Sequence, residues 1–177
     1  MNSNLLVVTA VGEDRAGLVD ELARVVADTG CNIEDSRMTV LGGDFAVILL
    51  AEGRWNELAK LEAALPGVAR RLALTINCKR TSPARRQGDL LPYTVEVVSM
   101  DQPGIVQQLA AFFGTREINI RDMATTSYKA AHTGTPMFSV QITVDVPAAM
   151  HIARLREDFM DFCDQLNLDA IIEPAKG

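Results

Sequence analysis

Residues 11–36 read VGEDRAGLVDELARVVADTGCNIEDS, and residues 98–123 read VSMDQPGIVQQLAAFFGTREINIRDM. At a shift of 87 positions the two stretches agree at Val11/Val98, Asp14/Asp101, Gly17/Gly104, Val19/Val106, Leu22/Leu109, Ala23/Ala110, Asn32/Asn119, Ile33/Ile120 and Asp35/Asp122. Two amphipathic helices would share the Val, Leu and Ala positions. They would not also place Asp, Gly and Asn in register, so an internal duplication is the economical reading.

Each copy has the same order of elements. An apolar run, Leu5–Val11 or Tyr93–Met100, reads as a central strand. A polar turn with a glycine leads into an amphipathic helix. In the first copy Leu18, Val19, Leu22, Ala23, Val25 and Val26 form its apolar face, and Gly30 marks its end. Two strands follow, about Arg37–Leu41 and Phe45–Ala51, joined through the hairpin signal Gly42-Gly43-Asp44. Their counterparts are about Asp122–Tyr128 and Met137–Val146. In the latter, Phe138, Val140, Ile142 and Val144 alternate with Ser139, Gln141, Thr143 and Asp145, which predicts one buried and one wetter face. The segment Lys129–Pro136 between them is longer and reads as a flap.

A second helix carries Trp55, Leu58, Leu61 and Leu65, or Ile152, Leu155, Phe159, Phe162 and Leu166, with Pro147 expected in the first turn of the latter. Closing strands, about Leu72–Cys78 and Leu168–Glu173, complete β-α-β-β-α-β twice. The fold class is therefore α+β: two tandem ferredoxin-like units, each a four-stranded antiparallel sheet with two helices on one face. The expected domains are 1–79 and 91–177, with a linker at 80–90. The linker region, Lys79 to Asp89, contains Lys79, Arg80, Arg85 and Arg86, which suit either a solvated connector or a basic contact patch.

A net charge of −6 argues against binding nucleic acid through the overall field. The three cysteines, Cys31, Cys78 and Cys163, are widely spaced and form neither a disulfide framework nor a zinc signature, which suits a reducing compartment. With neither a secretory signal nor a membrane-length apolar run in the sequence, a cytoplasmic location is expected. His132 and His151 have no nucleophile or carboxylate at a recognisable spacing, and no phosphate-cradling loop is present. The sequence therefore predicts no catalytic residues, no metal and no cofactor.

The repeated polar residues carry the functional reading. Asp14 and Asp101 stand where strand gives way to helix. There Asp either caps the helix or, beside the free N–H groups of the first turn, receives an ammonium group while those N–H groups receive a carboxylate. A free α-amino acid carries both charges. Gly17 and Gly104 suggest close approach of a ligand or a second backbone. Asn32 and Asn119 offer donors and an acceptor together, or else tolerate a left-handed turn. Ile33 and Ile120 are expected to anchor the cores.

An apolar strand, Asp-x-x-Gly, an amphipathic helix and Asn-Ile together resemble the ACT domain, an amino-acid-binding regulatory module. The whole chain is similar to the glycine cleavage system transcriptional repressor family, through GEDRAGLV, GCNIEDSRM, the GGDF hairpin, GRWNELAKLEAALP and CKRT. The resemblance implies a regulator without a DNA-binding domain that contacts a transcription activator and releases it when glycine binds. It implies a ligand held between modules, by the strand-to-helix loop of one and the Asn-bearing loop of another. Carried over, this selects Asp14, Arg15, Gly17, Asn32 and Ile33, with Asp101, Gln102, Gly104, Asn119 and Ile120 in the second copy. Ala16 departs from the proline common in that loop, which Pro103 retains, and Arg15 differs from Gln102, so the two sites should bind unequally. A homodimer is expected. A module controlling a metabolic enzyme directly, and a scaffold that binds no ligand, are the competing readings.

Overall fold

A computed structural model describes residues 4–83 and 89–175. The chain divides into two compact units, Met1–Arg85 and Arg86–Gly177. The first contains β1 (Asn4–Glu13), α1 (Leu18–Asp28), β2 (Asn32–Leu41), β3 (Asp44–Gly53), α2 (Trp55–Leu72) and β4 (Thr75–Thr81). The second contains β5 (Leu90–Met100), α3 (Ile105–Gly114), β6 (Asn119–Lys129), β7 (Pro136–Pro147), α4 (Ile152–Gln165) and β8 (Asp169–Pro174). The sheet orders are β2-β3-β1-β4 and β6-β7-β5-β8, antiparallel throughout. This is the ferredoxin-like arrangement, twice.

The cores follow from the alternation of the central strands. In unit 1 the buried Leu6, Val8 and Ala10 of β1 pack with Leu18, Leu22 and Val26 of α1 and with Leu58, Leu61 and Leu65 of α2. Val19, expected on the buried face of α1, is 46% exposed: it sits at the rim toward the edge strand β2, where nothing in the unit covers it. Unit 2 is more aromatic. Val25 and Val26 of the first copy become Phe112 and Phe113, whose rings meet Phe159 of α4 at 5.1 and 5.4 Å between centroids. Such edge and tilted contacts add to the burial of large rings.

Several boundaries differ from expectation. The strands β2 and β6 begin at Asn32 and Asn119, because each contains a bulge, between Ile33 and Asp35 and between Ile120 and Asp122, that interrupts its alternation. Pro147 closes β7 rather than opening a helix. The cap of α4 is His151, whose Nδ1 accepts from the Arg154 N–H at 3.4 Å. Leu72, expected in the closing strand, ends α2, which continues past Pro66. Lys79, Arg80 and Thr81 belong to β4 rather than to a linker, and Arg80 is held there by Glu62 of α2 at 2.7 and 2.8 Å. Arg85 and Arg86 lie outside the described residues.

Asp145, expected on the wetter face of β7, is buried and ion-paired with Arg121. The 130–135 connection, read as a flap, is closed by bonds from the Ala130 N–H to the Thr135 carbonyl and from the Gly134 N–H to the Ala130 carbonyl, each 2.9 Å. The Gly42-Gly43 turn has φ of 63° and 96°, the left-handed pair a tight hairpin demands.

Phe159→Ala should lower unfolding stability by about 3–5 kcal/mol in urea titrations, as a fully buried ring at the centre of the unit 2 cluster is lost. The Arg80 guanidinium bonded to Glu62 holds that carboxyl below its ordinary value of 4.5. A lowered folded value means stability that is present above pH 4.5 and lost as pH falls through the folded value. Glu62→Gln should flatten that part of an acid-unfolding curve followed by circular dichroism.

Candidate functional site

The strand-to-helix loops are built alike in the two units. Gly17 and Gly104 stand at the N-caps of α1 and α3 with φ of 95° and 93°. An added Cβ at either would meet nothing within 4 Å, so the glycine is required by its left-handed backbone and not by crowding from the chain. No side chain caps either helix. Asp14 and Asp101 therefore do not act as N-caps: the left-handed glycine occupies the cap position, three residues beyond each aspartate. The backbone N–H groups of these aspartates instead donate to the next hairpin, Asp14 to the Gly43 carbonyl and Asp101 to the Pro136 carbonyl, each at 3.0 Å. Asp14, Arg15, Asp101 and Gln102 are exposed, and none of their side chains makes a hydrogen bond or ion pair among the described residues.

Asn32 and Asn119 lie elsewhere. Asn32 is opposite Glu52, whereas the loop end of the sheet is marked by Asp44, eight residues earlier in β3. At about 3.3 Å per residue, the loop and the asparagine are about 26 Å apart. In unit 2 Asn119 faces Asp145 and the loop is latched to Pro136, a similar separation. Within either unit, no amino-acid-sized molecule reaches both halves of the repeated pattern. Ile33 and Ile120 are half-buried against their cores, as anchors.

The bulges bring further charged groups to the asparagine ends. In unit 1 the bulge residue is the exposed Glu34, next to the pairing of Asn32 with Glu52. The Glu34 carboxyl is raised above its ordinary range, first by the bond with Glu52 and next by that neighbour's charge. In unit 2 the bulge residue is Arg121, and its guanidinium bonds both oxygens of Asp145, with Nε to Oδ2 at 3.2 Å. A cavity of about 450 Å³ opens beside Asn119, between Asp89, Glu117, Asp145 and Ala148. Sequence reasoning did not reach Glu34, Glu52, Arg121 or Asp145. The available signal was the opposite charge of Glu34 and Arg121 at matched positions of the repeat.

The nucleophile candidates are dispersed. Burial pushes the Cys163 thiol up to about 12 and also raises Cys78, which disfavours thiolate at neutral pH. His132 lies exposed in the 130–135 turn and His151 caps α4. Among the described residues no helix is long and apolar enough to cross a membrane.

Two ferredoxin-like units with left-handed glycines at both strand-to-helix loops and Asn-Ile at both bulged strands define a tandem ACT-domain protein. The ACT domain model matches residues 4–79. The chain is 33% identical over 171 residues to the glycine cleavage system transcriptional repressor of Escherichia coli (strain K12), spanning 97% of this chain and 90% of that one. A crystal structure of a candidate glycine cleavage system transcriptional repressor has a TM-score of 0.74 at 29% identity, with both chains fully covered. A crystal structure described as an unknown protein from Galdieria sulphuraria has a TM-score of 0.80 at 26% identity, covering 99% of this chain and all of the other. The chain belongs to the glycine cleavage system transcriptional repressor family.

Because Asp14 does not cap α1, Asp14→Ala should change unfolding stability by less than about 0.5 kcal/mol in denaturant titrations, whereas a lost cap costs about 1 kcal/mol. A loss of that larger size would restore the capping role.

Proposed function

We propose that this protein is an amino-acid-sensing regulator, without catalytic activity, that lowers transcription of glycine cleavage genes by contacting a transcription activator in the cytoplasm and releases that activator when glycine binds. The observation that carries this is likeness to a glycine cleavage system transcriptional repressor along nearly the whole chain. The net charge of −6 supports action through a protein partner rather than directly on DNA.

The ligand contacts are Asp14, Arg15 and Gly17 from one loop and Asn32 with the backbone of Ile33 from another. Asp101, Gln102, Gly104, Asn119 and Ile120 form the corresponding set in unit 2. The separation of about 26 Å within a unit favours a site completed by a second copy of the chain. The strand β2 is at the edge of its sheet. Set antiparallel against β2 of a second copy, it would bring the Asp14 loop of one protomer to the Asn32 end of its partner, twice, by symmetry. The carboxylate of the amino acid would lie at the N-terminus of α1 beside Arg15, and Asn32 would bond it from the other side.

Glycine should raise the melting temperature in proportion to the logarithm of its concentration above Kd, since it binds the folded state alone. No shift with any standard amino acid would sink the sensing role. Asn32→Ala should weaken binding by about 1–3 kcal/mol in calorimetry. An affinity pull-down with and without glycine tests the partner: recovery of a metabolic enzyme and no transcription factor would overturn the transcriptional role.

A further inference from the structure

The central strands of unit 1 are apolar on both faces. Leu6, Val8 and Ala10 of β1 point into the core, so Leu5, Val7, Thr9 and Val11 point to the face of the sheet away from the helices. On β3 the same face receives Ala46, Ile48 and Leu50, opposite Val11, Thr9 and Val7. Ile48 is 49% exposed and Val11 47%. An antiparallel sheet with one wet face alternates apolar with polar residues, whereas strands apolar on both faces are those buried on both.

Unit 2 is the control, because it repeats the backbone with a different face. Val7, Thr9, Leu50 and Ile48 are replaced there by Thr94, Glu96, Thr143 and Gln141. The fold therefore does not require the apolar face of unit 1, and a contiguous exposed apolar patch marks an interaction surface. Its layout is self-complementary. Asp35, Leu50, Val7 and Lys79 lie in one row across β2, β3, β1 and β4, and Arg37, Ile48, Thr9 and Asn77 lie in the next. Asp35 and Arg37, both exposed, pair with each other at 2.5 Å on the rim of the patch.

We propose that this face of unit 1 docks against the same face of a second copy of the chain. A two-fold axis running across the strands, between the two rows, sets each row over the other row of the second copy. Leu50 then meets Ile48 of the second copy, Val7 meets its Thr9, and Asp35 and Arg37 meet its Arg37 and Asp35. No like charges are opposed at these positions. Facing sheets pack about 10 Å apart with their apolar side chains interdigitated. A face of four strands and four rows covers about 500 Å² on each copy, and the total of about 1,000 Å² reaches the size of a specific interface. The axis crosses β2 at Ser36, near the middle of that strand. Pairing of two β2 edges turns about an axis through the same region, so both contacts together close on four chains instead of running on as a fibre. The docking goes beyond the ligand site proposed above and does not depend on it.

The test is sedimentation equilibrium of the full chain. The unaltered protein should sediment as a multiple of two chains. Ile48→Lys should halve that mass, whether the face acts alone or together with the β2 edge, while Gln141→Lys, at the matched position of unit 2, should leave it unchanged. Both variants should keep a cooperative thermal transition by circular dichroism, since both positions are exposed. Asp35→Arg and Arg37→Asp should each weaken association about tenfold by opposing like charges. An equimolar mixture of those two variants should associate as tightly as the unaltered protein, because each chain then meets the opposite charge. A monomeric unaltered chain would give the face another occupant and overturn the proposal. So would a mass that Ile48→Lys leaves unchanged, or a mixture that associates no more tightly than its two components.

Discussion

The left-handed glycine at the start of α1, and its counterpart at the start of α3, is the constraint from which each unit is assembled. The chain must leave the end of a central strand and lie back across the same sheet as a helix within four residues. A backbone at φ near 95° makes that reversal, and an L side chain is disfavoured there. With the glycine holding the cap position, the preceding aspartate is released from capping. Its N–H is free to latch the next hairpin, at Gly43 in one unit and Pro136 in the other. The loop, the helix start and the hairpin are consequently one fastened group at one end of the sheet.

That fastening explains why the repeated pattern is split. Asp-x-x-Gly and Asn-Ile are about fifteen residues apart in sequence, joined by a helix that travels the length of the sheet. The helix carries the chain from the loop end to the opposite end, where Asn32 opens β2. A shared role in one ligand site then demands two edges related by an antiparallel pairing. On the proposed reading, recognition and assembly would be the same event.

Most of the fold could be read from the sequence because its information is local and repeated. The alternation of β7 and the apolar stripe of α1 each identify an element without knowledge of its neighbours. The failures came where tertiary contacts decide. Val19 matches the stripe but lies at an uncovered rim. Asp145 follows the polar alternation, yet it is buried because Arg121 arrives from a bulged neighbour. Arg80 reads as linker until Glu62 on α2 is seen to hold it in β4. Bulges are especially opaque, since one extra residue shifts a strand's faces without changing its composition. The candidate site suffered most from this. Its loop and its asparagines were visible as repeats, but the groups beside them become neighbours only once β2 pairs with β3 and β6 with β7.

The pattern of change between the copies also separates fold from function. Gly17/Gly104, Asn32/Asn119 and Ile33/Ile120 are identical, and both bulges fall at the same step. Changes inside the core are compensated: two valines become two phenylalanines, and the helix opposite supplies Phe159 and Phe162 to meet them. The changes at Arg15/Gln102 and at Glu34 have no such packing reason, because these side chains are exposed, whereas Arg121 pairs with the buried Asp145. Stability would tolerate many residues at positions 15, 102 and 34, but loss of Arg121 would leave a buried carboxylate unpaired. The bulge maintained in both copies therefore carries different duties: Arg121 completes the pairing of a carboxylate buried in the fold, whereas Glu34 answers to its surface.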